Sequence, residues 1–123
     1  MEQEDYLETI YNLKKDLGHV RVSDIAKALQ LSKPSVTQMM QRLEKEGYVK
    51  YQPYLPLKLT TKGNRIGSSV AEKHRVLAEF LTILGIPKAV QTKDIHGIEH
   101  FLSPITLKKL KKTTKFLKDK KFK

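Results

Sequence analysis

Three of the four histidines in this chain lie among carboxylates, and the chain contains no cysteine. His96, Glu99 and His100 stand at i, i+3 and i+4, so one helix would present two imidazoles and a carboxylate within an arc of about 100°. Asp5 and Glu8, three apart, put two carboxylates on one face of a first helix. His74 interrupts an otherwise apolar stripe. Each feature alone has a plain explanation. Acids near a helix N-terminus complement its dipole, a histidine on an apolar stripe is commonly a hydrogen-bonded core residue, and His96–His100 could be ordinary helix surface. Together they form an oxygen and imidazole donor set without thiolate, which suits a divalent first-row ion such as Mn²⁺, Fe²⁺ or Zn²⁺. Disulfides and cysteine catalysis are excluded. His96-Gly97-Ile98-Glu99-His100 also fits the H-x-x-E-H pattern of a zinc metallopeptidase. That chemistry takes a further carboxylate ligand from well downstream, and after Glu99 only Asp119 remains, inside a Lys-rich tail.

A second constellation is polar and basic. Ser32, Lys33, Ser35, Thr37, Gln38, Gln41 and Arg42 occupy the outer face and N-terminus of one short helix, with almost no carboxylate among them. Hydroxyls and a helix N-terminus bind phosphate, while Gln and Arg reach base edges in a major groove. The surrounding residues 19–65 hold nine Lys or Arg against three acids, a balance that attracts polyanions. Lys50, Tyr51, Tyr54 and Lys58 would add contacts to the DNA backbone. The competing readings are the wet side of an amphipathic helix, a protein-interaction module, and a DNA-binding regulator that needs no metal.

The elements that must carry these groups follow from apolar spacing and stop signals. Tyr6, Ile10, Leu13 and Leu17 recur at helical spacing from Glu4 to Leu17, and Gly18 ends the helix. Ser23 is placed as an N-cap for a short helix with Ile25, Ala26 and Leu29 inward. After Leu31-Ser32, a third helix with Pro34 in its first turn carries Val36, Met39, Met40 and Leu43 towards Gly47. Tyr48–Tyr51 and Leu57–Leu59 read as two strands around a Pro-rich turn. Thr60 or Thr61 caps a long helix to about Leu84, on the order of 35 Å, whose stripe of Ile66, Val70, Leu77, Leu81 and Leu84 is completed by His74. A shorter helix covers about Thr92 to Leu102. Ser103-Pro104 breaks it, and Leu107, Leu110, Thr114 and Leu117 mark a last helix whose terminal Lys-rich residues are expected to fray.

A helix, a helix-turn-helix and a β-hairpin in this order make a winged helix. The 123 residues, with 39% apolar side chains and a net charge of +11, imply one domain or two small ones in a soluble globular chain. No apolar run reaches the roughly 20 residues of a membrane span. The acidic opening Met1–Asp5 is unlike a secretory or transit leader, and a cytoplasmic location is expected. The charge excess is concentrated at the end, where residues 101–123 hold nine Lys against Asp119.

The segments Glu4-Asp5-Tyr6-Leu7-Glu8-Thr9-Ile10-Tyr11, Arg21-Val22-Ser23-Asp24-Ile25-Ala26, Ser35-Val36-Thr37, Leu59-Thr60-Thr61-Lys62-Gly63, His74 and Gly97-Ile98-Glu99-His100-Phe101-Leu102-Ser103 carry a resemblance, as does the spacing between them. Over about residues 4–103 the chain resembles the diphtheria toxin repressor family of metal-dependent repressors, and most of all its short manganese-sensing branch. The resemblance implies a mainly α fold, with a winged helix-turn-helix and small β-hairpin wing in residues 1–61 and a helical metal-binding and dimerisation domain in residues 62–123. It implies a homodimer that binds double-stranded operator DNA and represses metal-uptake genes, with no enzymatic activity, no membrane association and no organic substrate. It also implies ligands at Asp5, Glu8, His74, Glu99 and His100, with Mn²⁺ as cofactor and up to two ions per subunit. His96 stands where the manganese-sensing branch has a Glu ligand. With one carboxylate fewer, two divalent ions keep an uncompensated positive charge, and the added imidazole favours Fe²⁺, Zn²⁺ or Co²⁺ over Mn²⁺. Leu55-Pro56 stands where relatives commonly place a basic residue and Gly, and the SH3-like domain of longer relatives has no counterpart here.

Overall fold

The computed structural model describes residues 3–120. The ends of the expected acidic opening and of the Lys-rich tail lie outside the described residues. The order is α1 (Gln3–Leu17), α2 (Val22–Leu29), α3 (Lys33–Lys45), β1 (Val49–Lys50), β2 (Lys58–Leu59), α4 (Thr61–Ile83), α5 (Lys88–Ile98), a 3₁₀ turn (Glu99–Phe101) and α6 (Pro104–Asp119). Two compact units divide inside α4, between Ala71 and Glu72.

The first unit is the winged helix. Tyr6, Leu7 and Ile10 of α1, Ile25 and Ala26 of α2, and Val36, Met40 and Leu43 of α3 are buried in one cluster with Val20, Val49 and Leu57. Gly18 takes φ +81° and Gly47 φ +83°, closing α1 and α3 in the left-handed conformation that glycine adopts most cheaply. Ser32 caps α3, its Oγ accepting from the Ser35 amide at 3.2 Å, and Pro34 lies in the first turn. The expected cap of α2 moves: the N-cap is Arg21, and Ser23 lies inside the first turn. Asp24 decides this, because its Oδ2 accepts the Arg21 amide at 2.8 Å.

β1 and β2 pair antiparallel with Val49 opposite Leu59 and Lys50 opposite Lys58, and Val20 bridges to Leu57. Thr60 Oγ1 accepts the Gly63 amide at 3.1 Å and so caps α4. Gly67 lets α4 approach α1, since a Cβ there would come within 2.6 Å of the Leu7 carbonyl oxygen. Gly67→Ala is therefore expected to destabilise the protein by about 1–3 kcal/mol despite the better helix propensity of Ala. Gly97→Ala, whose Cβ meets nothing within 4 Å, should stabilise it by about 0.5–1 kcal/mol. Urea midpoints of the two variants check both signs.

In the second unit Val76, Leu77, Ile95 and Thr114 are buried. Two expectations shift. The helix carrying His96 begins at Lys88 and not near Thr92, and its last residues tighten into the 3₁₀ turn. Leu84 is 46% exposed, so the long apolar stripe of α4 ends before it. Ser103 caps α6 by accepting the Thr106 amide at 3.2 Å, and α6 runs to Asp119; the last residues of the tail, expected to fray, lie outside the described residues. Among its lysines, Lys111 reaches Glu72 at 3.2 Å and Lys118 reaches Glu79 at 4.0 Å.

Candidate metal centre and nucleic-acid interface

The donors of the second unit gather around Glu99. It is 2% exposed, at the point where α5 gives way to the 3₁₀ turn. Its Oε2 lies 3.4 Å from His74 Nδ1, and its Oε1 lies 3.7 Å from His100 Nε2. The His96 and His100 rings stand nearly perpendicular at 6.0 Å, and one donor atom from each of His96, Glu99 and His100 lies within 4.8 Å of the other two. His74 and His96 are exposed and His100 is half-buried. In the first unit, Asp5 is buried and Glu8 half-buried, one turn apart on α1.

Glu99 Oε2 is a buried carboxylate oxygen that accepts no hydrogen bond among the described residues. Burying a carboxylate is costly unless a positive charge or several donors compensate it. Two imidazoles within 4 Å turn that cost into a feature of a metal centre, because neutral imidazole and carboxylate coordinate divalent cations from this kind of arrangement. The residues present fit such an ion.

The polar face of α3 is as open as the sequence suggests. Ser32, Lys33, Ser35, Gln38, Gln41 and Arg42 are exposed and Thr37 is half-buried. Arg42 leans on Glu46 at 3.9 Å, an exposed pair of small energetic weight. On the wing, Lys50 and Lys58 are exposed and directly opposite each other. Like charges at such a cross-strand position oppose pairing, whereas a phosphate between them would relieve the repulsion. Replacing both with Gln should leave folding intact and reduce the salt dependence of DNA affinity by about one counterion per lysine, as read from binding isotherms over a salt series.

Two wing anchors have no signal in the linear sequence. Arg21 Nη1 donates to the Tyr54 carbonyl at 2.8 Å, and the Tyr51 amide donates to Glu44 Oε2 at 2.9 Å. Glu44 thus fastens the wing to α3.

Residues 1–57 match the family described as iron dependent repressor, N-terminal DNA binding domain, and residues 60–121 match iron dependent repressor, metal binding and dimerisation domain. Over 100 residues the chain is 47% identical to the HTH-type transcriptional regulator MntR of Shouchella clausii (strain KSM-K16), a match covering 81% of this chain and 70% of that protein. The chain belongs to the iron-dependent repressor family. Within this family, also named for the diphtheria toxin repressor, it is of the MntR type. Solved structures agree. The manganese regulator SloR is 29% identical with a TM-score of 0.75, the match covering 92% of this chain and 53% of that one. ScaR with bound Zn²⁺ is 27% identical with a TM-score of 0.72, covering 94% and 55%. The chain spans about half the length of those two solved structures. The families and relatives it matches are transcriptional regulators, not enzymes. No described helix is long and apolar enough to cross a membrane.

Proposed function

We propose that this repressor binds operator DNA as a homodimer when a divalent cation, Mn²⁺ in the first instance, is bound, and that it thereby controls metal-uptake genes from the cytoplasm. The observation that supports the reading is the buried Glu99 carboxylate, which lies within 4 Å of two imidazoles and whose Oε2 accepts no hydrogen bond among the described residues. His74, His96, Glu99 and His100 are the ligands of the helical part, and Asp5 and Glu8 of α1 complete the set. The functional boundary falls at residue 61, with 1–61 reading DNA and 62–123 binding metal and pairing subunits.

A bound cation supplies the positive charge that lets three carboxylates share one site. Without it, Asp5, Glu8 and Glu99 repel one another, and the reading heads sample several orientations. In the DNA-competent dimer the two α3 helices must lie about 34–36 Å apart to enter successive major grooves. A thousandfold metal-dependent change in affinity needs about 4 kcal/mol of coupling between the two sites. Phe101, Ile105 and Phe116 of the helical part are 88%, 75% and 58% exposed, an apolar surface of the kind that pairing with a second copy would cover. The relative solved with Zn²⁺ and the manganese regulator SloR support a divalent ion without choosing it.

The test is a DNA-binding titration under chelator, then with Mn²⁺, Fe²⁺, Zn²⁺ and Co²⁺ in turn. Tighter binding with at least one ion is expected. Equal affinity under chelator and in every ion would make this a metal-independent winged-helix regulator.

A further inference from the structure

At the tip of the wing, Gln52-Pro53-Tyr54-Leu55 form a turn closed by the Leu55 amide donating to the Gln52 carbonyl at 3.2 Å. Pro53 in the second position and a positive φ in the third are the pattern of a type II turn, whose third residue is ordinarily glycine. Here it is Tyr54 at φ +68°, where an L side chain crowds its own backbone. The ring gains little contact in return: Tyr54 is 96% exposed, more than any other large hydrophobic residue among those described.

This conformation is held from outside the turn. Arg21 Nη1 donates to the Tyr54 carbonyl at 2.8 Å, and the Leu57 amide donates to the Val20 carbonyl at 2.7 Å. Arg21 is itself fixed at the start of α2 by the hydrogen bond its amide donates to Asp24 Oδ2. Arg21, Tyr54 and Leu55 line a cleft of about 320 Å³ together with Lys33 and Thr37 of α3, so the strained tip and the DNA-reading helix share one concave surface. Folding alone gains nothing from a strained, solvent-facing tyrosine, and strain that the surroundings enforce is characteristic of functional positions.

We propose that Tyr54, with Leu55 beside it, is an uncharged probe that enters the DNA minor groove flanking the site read by α3, and that Arg21 is the positioning residue that aims it. The inference rests on the DNA-binding reading above. The chemistry of the wing divides accordingly. Lys50 and Lys58 at its base suit phosphates, whereas Gln52–Pro56 carry no charge and suit the sugar walls and base edges of the minor groove, where proteins commonly insert apolar side chains. The tip therefore contributes affinity that salt does not screen.

The probe for the test is a duplex selected from a random pool by the metal-loaded parent protein. Tyr54→Gly relieves the strain, so its melting temperature should rise by a few degrees, about 2–8 °C, while its affinity for the selected duplex falls about tenfold with an unchanged salt slope. Tyr54→Phe keeps parental affinity. Arg21→Met loses affinity to a similar degree, and the double variant loses no more than either single one. Hydroxyl-radical footprints should show minor-groove protection flanking the site in the parent and not in Tyr54→Gly. Parental affinity in Tyr54→Gly, or a salt slope lowered in proportion to the lost affinity, overturns the inference and leaves the proposed function standing. Failure of the parent to select any duplex overturns the proposed function itself.

Discussion

Glu99→Gln is expected to abolish the metal response while leaving the apo protein folded. The side chain keeps its volume at a position that is 2% exposed, and it loses the buried negative charge that His74 and His100 flank. A neutral amide costs less to bury than an uncompensated carboxylate, so apo thermal stability should hold or rise slightly. The increment from added metal should vanish; for a ligand at a thousandfold excess over its Kd that increment is about 4 kcal/mol. The paired measurements are melting curves with and without Mn²⁺ and operator titrations in the same buffers. An undiminished metal-dependent gain in affinity would remove Glu99 from the centre of the site.

The second large effect is on ion choice. His96→Glu exchanges an imidazole for a carboxylate at an exposed position, so the fold should tolerate it. The exchange raises the negative charge of the proposed donor set to match two divalent ions and removes a nitrogen donor that favours later first-row metals. Mn²⁺ affinity should rise relative to Zn²⁺ and Co²⁺ by on the order of tenfold or more, a change typical of altered ligand environments. Competition titrations with a metal indicator measure the ratio directly. A ratio identical to the parent's would show that His96 takes no part in binding.

Most of the scaffold that positions these groups is visible as apolar spacing. Tyr6, Ile10 and the flanking Gly18 define α1, and Ser32 and Pro34 open α3 where their chemistry says they should. Local statistics misplace other boundaries for identifiable reasons. Ser23 is the better intrinsic cap, but the Asp24 carboxylate shifts the helix start to Arg21. Lys88-Ala89-Val90-Gln91 has no amphipathic pattern, so the first turn of α5 is silent in the sequence, although Pro87 begins it. The donor constellation is legible because i, i+3 and i+4 are neighbours on any helix. The approach of His74 to Glu99 is not, because it depends on the packing of α4 against the end of α5. The wing anchors are least legible of all. Arg21 and Tyr54 are 33 residues apart, and neither residue type announces the other.

The lysines of α6 give ionic strength two opposing effects. With two of them reaching a carboxylate among the described residues and +11 on every copy, bringing two copies together is opposed at low salt by mutual repulsion, which a Debye length of about 8–10 Å relieves at moderate salt. Grip on a polyelectrolyte weakens over the same range. Under the proposed pairing, a regulator built this way works best inside a window of electrolyte concentration, bounded below by estrangement of its subunits and above by loss of its genomic target.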